Sequence, residues 1–168
     1  SAASDVYKRQ DQAPNIDKLD KALAADVDIS HVLAVHCETT SGILNPIQEI
    51  ANIVKSRGRS LFIDAMSAFG AINLDANHVY FDALVASSNK CLEGVPGVGF
   101  ALIRTKILEG CKSNSHSLSL DLYDQWQNME NNAQWRFTPP THVIAAFDKA
   151  IEQFEAEGGV AGRFARYS

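Results

Sequence analysis

HVLAVHCETTSGILNPIQEIANIVKSRGRSLFIDAMSAFG, residues 31–70, decides the fold. It opens on a short apolar run, residues 31–36, with the length and character of a buried strand. A helix start comes next. Asn45 can cap, Pro46 occupies the first helical position where a missing donor does no harm, and Gln48 stands where a capping box needs it. Ile47, Ile50, Ala51 and Val54 recur at i, i+3, i+4 and i+7, which is one stripe of a helix. Lys55, Arg57 and Gly58 then supply a C-terminal stop. LFID, residues 61–64, is a second strand. Strand, helix, strand in this order predicts an α/β layer structure.

The same alternation extends outward in both directions. Ile16, Leu19, Leu23 and Val27 recur at helical spacing, so residues 15–26 read as an amphipathic helix. Residues 82–86 form a third strand and 98–103 a fourth. Too few residues separate those two for a crossover helix, so the fourth is expected to run antiparallel. Residues 120–129 read as helical. So do residues 141–157, with Val143, Phe147, Ala150, Ile151 and Phe154 on one face and Gly158 beyond the end. The predicted fold class is α/β, a mainly parallel sheet flanked by helices, without internal repeats.

With 168 residues, 46% of them apolar and 21% charged, the chain has the composition of a soluble globular domain. A net charge of −5 argues against a nucleic-acid or anionic-membrane surface, which would need a basic face. No apolar run approaches the ~20 residues that span a bilayer, and no signal peptide opens the chain. Cys37, Cys91 and Cys111 form no CxxC pair, which suits a reducing cytosol. His36, His78, His116 and His142 lack metal-ligand spacing, so no metal is expected. Residues 1–10 stand apart: DVYKRQ, residues 5–10, resembles a reading frame of a sequencing-library adapter, and nothing in it patterns with the rest of the chain. Residues 11–168 form the second unit. Its end, Tyr167-Ser168, comes shortly after a Gly-Gly with no terminal element completed, and reads as cut.

In sheets of this kind ligands sit beyond the carboxyl ends of the strands. That rule picks out residues 36–42, 64–67 and 87–90. Singly, each has a bland reading. Asp64 could cap a turn, Lys90 could be a solvated loop lysine, and the Glu38-Thr39-Thr40-Ser41-Gly42 run could be a turn bonded to its own backbone. Together they put a carboxylate, a lysine and a hydroxyl-rich loop at the ends of three successive strands. Pyridoxal phosphate chemistry needs that set: a lysine to hold the cofactor, and a carboxylate to keep the proton on its ring nitrogen. The phosphate in turn needs N–H and hydroxyl donors.

HCETTSGILNP (36–46), FIDAMSAFG (62–70), SSNKCLEGVPG (87–97), SLSLDLY (117–123) and RFTPPTH (136–142) resemble the class V, fold-type-I aminotransferases. The blocks run in order over residues 15–167. ETTSG and the Asp-to-Lys spacing mark the superfamily, whereas NKCLEGVPG with SLSLDLY resembles the branch that acts on an aminoalkylphosphonate. The resemblance implies a pyridoxal 5′-phosphate enzyme moving the amino group of 2-aminoethylphosphonate to pyruvate, giving phosphonoacetaldehyde and L-alanine. It implies that Lys90 carries the cofactor, Asp64 faces the ring nitrogen and Thr39 bonds the phenolic oxygen. Met66 would lie against the ring and Asn89 would reach the phosphate. Thr138 would serve the neighbouring subunit's phosphate, which implies a homodimer. By the same resemblance the glycine-rich phosphate cup precedes this region and the small domain comes after it, so residues 11–168 alone are expected not to turn over.

Two other readings stay open. One is an alanine–glyoxylate or serine–pyruvate type of transaminase, which shares Asp64, Lys90 and the ETTSG-like loop; the other is a non-catalytic α/β module. Cys91 reads as a small packing residue. Trp126 and Trp135 read as core or interface residues.

Overall fold

The structure is a computed structural model and describes residues 11–168. The expectation for residues 1–10 lies outside the described residues. Four strands, β1 (His31–Val35), β2 (Ser60–Asp64), β3 (Ala83–Ser87) and β4 (Gly99–Ile103), form one sheet in the order β1-β2-β3-β4. The first three run parallel and β4 runs antiparallel to β3, as the short 88–98 connection requires. Six helices accompany them among the described residues: α1 (Ile16–Ala25), α2 (Ile47–Ser56), α3 (Thr105–Glu109), α4 (Leu122–Asn132), α5 (Thr141–Ala156) and α6 (Gly159–Tyr167).

The α2 stripe does what its spacing predicts. Ile47, Ile50, Ala51 and Val54 are all buried, and they join a cluster with Leu61 and Ile63 of β2 and Leu84 and Ala86 of β3. Leu61, Ile63 and Leu84 are at most 1% exposed, so each contributes about 1.5–3 kcal/mol of transfer free energy. Strand alternation leaves the opposite face barer: Leu33 is 78% exposed. On the covered side, Phe100 of β4 stacks on Phe147 of α5 with centroids 5.9 Å apart, which seats α5 beside the 88–98 connection.

Several local expectations are corrected. Asn45 does not cap α2, whose cap position is Pro46 with no side-chain bond. Instead Asn45 is buried, and its amide donates to the Val35 carbonyl (2.8 Å) and to Glu38 (3.0 Å). Gln48 reaches Asn52 and the His78 carbonyl, so no capping box forms. The cap of α1 is Asn15, which accepts from Lys18 N at 2.9 Å; Val27 lies past that helix and is exposed. The 120–129 helix is shifted to α4, because Asp121 caps it by accepting from Asp124 N. Residues 159–167, a stretch with no expected element, are α6. Gly158 turns the chain at φ +100°, and a new helix can start there. Trp135 is half exposed and is not a core residue.

Candidate active site

Because β1, β2 and β3 are parallel neighbours, their carboxyl ends open on one edge of the sheet. The ladder continues a step beyond the strands: His36 N donates to Asp64 O at 2.7 Å, and Ala65 N to Val85 O at 2.9 Å. Each of the three loops therefore leaves from a fixed point.

The first loop folds back as a small hairpin. Glu38 N donates to Ile43 O and Asn45 N to His36 O, with Cys37 bridging Leu44. Gly42 takes φ +70°, which only glycine adopts at low cost. Thr39, Thr40 and Ser41 are left exposed at the tip. In the second loop the Asp64 carboxylate accepts from Met66 N at 2.9 Å, so the turn-capping reading of Asp64 holds. That bond occupies one oxygen, and Oδ2 has no hydrogen-bond partner among the described residues. The third loop is pinned by Ser88, fully buried, whose hydroxyl donates to Val95 O at 2.8 Å. Gly94 N returns to Ser88 O, and Glu93 N to Lys90 O.

These loops are joined through Ser67, which lies inside the 64–67 strand-end segment but carries no predicted role of its own. Ser67 Oγ bonds Thr39 Oγ1 at 2.5 Å, and the Ser67 carbonyl accepts from Cys91 Sγ at 3.4 Å. Ser67 thus ties the hydroxyl loop to the aspartate loop, and the aspartate loop to the lysine loop. Its signal in the sequence is only a hydroxyl three residues past Asp64. Cys91 is half-buried, as a packing residue should be, and burial first, then Cys37 nearby, pushes its thiol pKa up.

The predicted site residues divide by loop. Thr39, Asp64 and Met66 lie on two loops that are bonded to each other, and Asn89 and Lys90 lie on the third. Lys90 is exposed, and its ammonium has no carboxylate or hydrogen-bond partner among the described residues. Thr138 lies on none of these loops; it is exposed in the segment just ahead of α5. His36, at the end of β1, is only 5% exposed and its Nδ1 is an orphan among the described residues, as is the buried Ser87 hydroxyl. Burial holds the His36 ring below its ordinary pKa of 6.5.

The donor set fits pyridoxal phosphate. A primary amine without a partner, a carboxylate oxygen without a partner, two bonded hydroxyls and an amide stand at adjacent strand ends. An aldehyde, a ring N–H and a phenolic oxygen could each find its complement there.

Known proteins resemble this chain closely. The aminotransferase class-V family matches residues 3–163. The 2-aminoethylphosphonate–pyruvate transaminase 2 of Burkholderia lata is 57% identical over 149 residues, covering 89% of this chain and 40% of that protein. The 2-aminoethylphosphonate–pyruvate transaminase of Pseudomonas fluorescens is 53% identical, covering 95% of this chain and 43% of its own length. The chain therefore spans about two fifths of the curated relatives it matches. Pyridoxamine–pyruvate aminotransferase of Mesorhizobium loti superposes with a TM-score of 0.83 at 28% identity, over 93% of this chain and 40% of that one. Alanine–glyoxylate aminotransferase of Nostoc sp. shares the fold with a TM-score of 0.80 at 18% identity, over 95% and 42%. A family match over nearly every described residue, on a fold shared with solved aminotransferases, leaves one assignment: this chain belongs to the class-V aminotransferases.

Proposed function

We propose that this chain is part of a pyridoxal 5′-phosphate-dependent transaminase that moves the amino group of 2-aminoethylphosphonate to pyruvate, yielding phosphonoacetaldehyde and L-alanine. The observation that carries this reading is the pairing of an unpartnered Lys90 amine with a half-free Asp64 carboxylate at neighbouring strand ends. It occurs in a chain 57% identical to a 2-aminoethylphosphonate–pyruvate transaminase. The bound cofactor supplies an electron sink for the substrate's amine-bearing carbon.

The roles of the chain's residues derive from position and chemistry. Lys90 would hold the cofactor through Nζ, and the same amine would take and return a proton at that atom. The amine needs mobility for this, and an exposed side chain without an ion pair has it. Asp64 holds a proton at the ring nitrogen through its free oxygen, while its other oxygen stays fixed by Met66 N. Thr39, braced by Ser67, orients the ring through its phenolic oxygen. Met66 flanks the ring and Asn89 reaches toward the phosphate. Thr138 serves the phosphate of the neighbouring subunit in a homodimer. The small-molecule substrates and the lack of any helix long and apolar enough to cross a membrane among the described residues accord with a cytoplasmic enzyme.

A phosphonate dianion needs fixed donors two carbons from its amine, because a desolvated, unpaired dianion is costly. Arg136 is the candidate: its bond to the Leu118 carbonyl ties it to the SLSLDLY segment, and its ion pair with Asp124 at 3.1 Å would have to yield to the phosphonate. The test is a competition with the full-length protein. 2-Aminoethylphosphonate should give a higher kcat/KM than L-alanine or L-serine as amino donor. Preference for alanine or serine with glyoxylate, and no phosphonoacetaldehyde, would replace the phosphonate reading with the alanine–glyoxylate or serine–pyruvate one. Failure to bind pyridoxal phosphate at all would leave a non-catalytic module.

A further inference from the structure

The third loop is gripped by a buried charge that lies outside the candidate site residues. Arg163 of α6 is 1% exposed, the largest fully buried side chain of the described residues. A guanidinium is buried at great cost unless its donors are met. Here two of its nitrogens are met: Nε donates to Glu157 at 2.7 Å, Nη1 stands 3.4 Å from Glu93, and Nη1 also donates to the carbonyl of Cys91. The ring of Phe154 lies beneath, 5.4 Å from Cζ. Two of these partners, Cys91 and Glu93, are one and three residues past Lys90.

Glu93 is itself unusual. Its φ of +59° is a left-handed conformation that a glutamate does not choose unaided. Its carboxylate is held by Arg166 at 2.8 Å and the Tyr167 hydroxyl at 2.5 Å, both from the same helix. So α6 fixes the backbone just after Lys90 through Arg163, Arg166 and Tyr167. The Lys90 side chain has no partner of its own, and only its backbone can decide where Nζ sits.

We infer that Arg163 is a positioning residue for Lys90: by clamping the Cys91 carbonyl and Glu93 it sets the backbone from which the lysine reaches the cofactor's aldehyde. The inference rests on the reading of Lys90 as the cofactor-holding residue. Arginine is required because a lysine ammonium at 163 could keep the charge but not the planar fork that meets a carbonyl and two carboxylates at once.

The experiment uses the full-length protein, wild type against Arg163→Lys, Arg163→Met and Glu93→Gln. Three quantities are read: the melting temperature of the cofactor-free protein, the rate at which borohydride fixes pyridoxal phosphate to the peptide containing Lys90, and the pH midpoint of the bound cofactor's visible band. Arg163→Lys should melt within a few degrees of wild type, yet trap at Lys90 at least about tenfold more slowly and with a shifted midpoint. Should Arg163→Met fail to fold, Glu93→Gln loosens the same grip from a partly exposed position and should show the same slowing in milder form. Arg57→Met, which breaks only an exposed pair with Asp20, should leave trapping unchanged. Wild-type trapping rates and midpoints in Arg163→Lys and Glu93→Gln, whatever their melting temperatures, would overturn the inference and leave Arg163 as a structural bolt. Wild-type trapping at a lysine other than Lys90 would instead overturn the underlying site assignment.

Discussion

Replacing Gly94 by alanine tests whether the lysine loop is as tightly closed as its hydrogen bonds imply. A Cβ at this position would lie 2.9 Å from the Ser88 carbonyl oxygen and 3.3 Å from both the Phe147 ring and Ser88 Cβ. The first contact is about 0.5 Å inside a comfortable separation. None of these neighbours can give way freely. Ser88 is fully buried, its carbonyl already accepts from Gly94 N at 2.8 Å, and Phe147 is stacked on Phe100. Gly94 is not among the residues with positive φ, so alanine's backbone preferences are not offended and the loss is steric. Overpacking of this kind costs about 1–3 kcal/mol, and stretching the Gly94–Ser88 bond adds about 1 kcal/mol. The smaller unfolded-state entropy of alanine offsets about 0.4–1 kcal/mol. The net expectation is a loss of about 1–3.6 kcal/mol in equilibrium denaturation. Gly99→Ala is the control, because its Cβ would meet only the Ala86 carbonyl at an ordinary 3.7 Å. Since Lys90 lies inside the 88–94 closure, borohydride trapping at Lys90 should slow in Gly94→Ala and not in Gly99→Ala. Equal stability of the two variants, within about 0.5 kcal/mol, would refute the reasoning.

Other consequences can be read just as directly. Asp64→Asn preserves the bond from Met66 N but removes the charge, so cofactor should still bind while turnover falls by about 10²–10³-fold; near-normal turnover would reduce Asp64 to a turn residue. Burial favours the neutral His36 ring, so the unfolded chain takes up that proton first, and stability should fall as pH drops below 6.5. His36→Gln should flatten the dependence of melting temperature on pH between 5 and 7 (roughly the window around an ordinary histidine), and an unchanged slope would place the titration elsewhere. Glu93 is held below the ordinary glutamate value of 4.5 by Tyr167 and then Arg166, and Glu157 by Arg166 and then Arg163. Both contribute stability that is complete above 4.5 and lost as pH falls through their folded values, so α6 should gain amide exchange there before the β2–β3 core does. If Thr138 serves the partner subunit, mixing inactive Lys90→Ala with inactive Thr138→Ala protein should restore some activity through heterodimers. No recovery at any ratio would put Thr138 in its own chain's site, or in none.

The fold is largely legible because its signals are local. Ile47, Ile50, Ala51 and Val54 announce α2 through a spacing that any window of eight residues contains, and all four are buried. The antiparallel β4 is fixed by the few residues between two apolar runs. Legibility fails where a residue has a better use than its propensity suggests. Asn45 has the side chain and position of a helix cap, but it is drawn inward to bond Val35 and Glu38 and so closes the first loop. Helix α6 is hidden because GGVAGRFARY begins with two glycines, which lower helix propensity. It is held in place by Arg163, Arg166 and Tyr167 bonding to residues far back in the chain.

The candidate site divides along the same line. Residues suited to touching a ligand declare themselves, since Thr39, Asp64, Asn89 and Lys90 are polar side chains at strand ends, where an α/β sheet collects its chemistry. Residues that hold those loops in register do not. Ser67 meets Thr39 across 28 residues and Cys91 across 24, and Arg163 meets Cys91 across 72. No periodicity or short motif spans such distances, and neither the 64–67 segment nor the stretch around Arg163 shows what Ser67 and Arg163 reach. Yet an unpartnered lysine can be accurate only if its backbone is, and an exposed hydroxyl loop only if something ties down its tip. The positional demands of the chemistry therefore fall on the residues with the weakest sequence signal. That is why substitutions at Ser67 and Arg163 should alter how the site works more than their places in the sequence suggest.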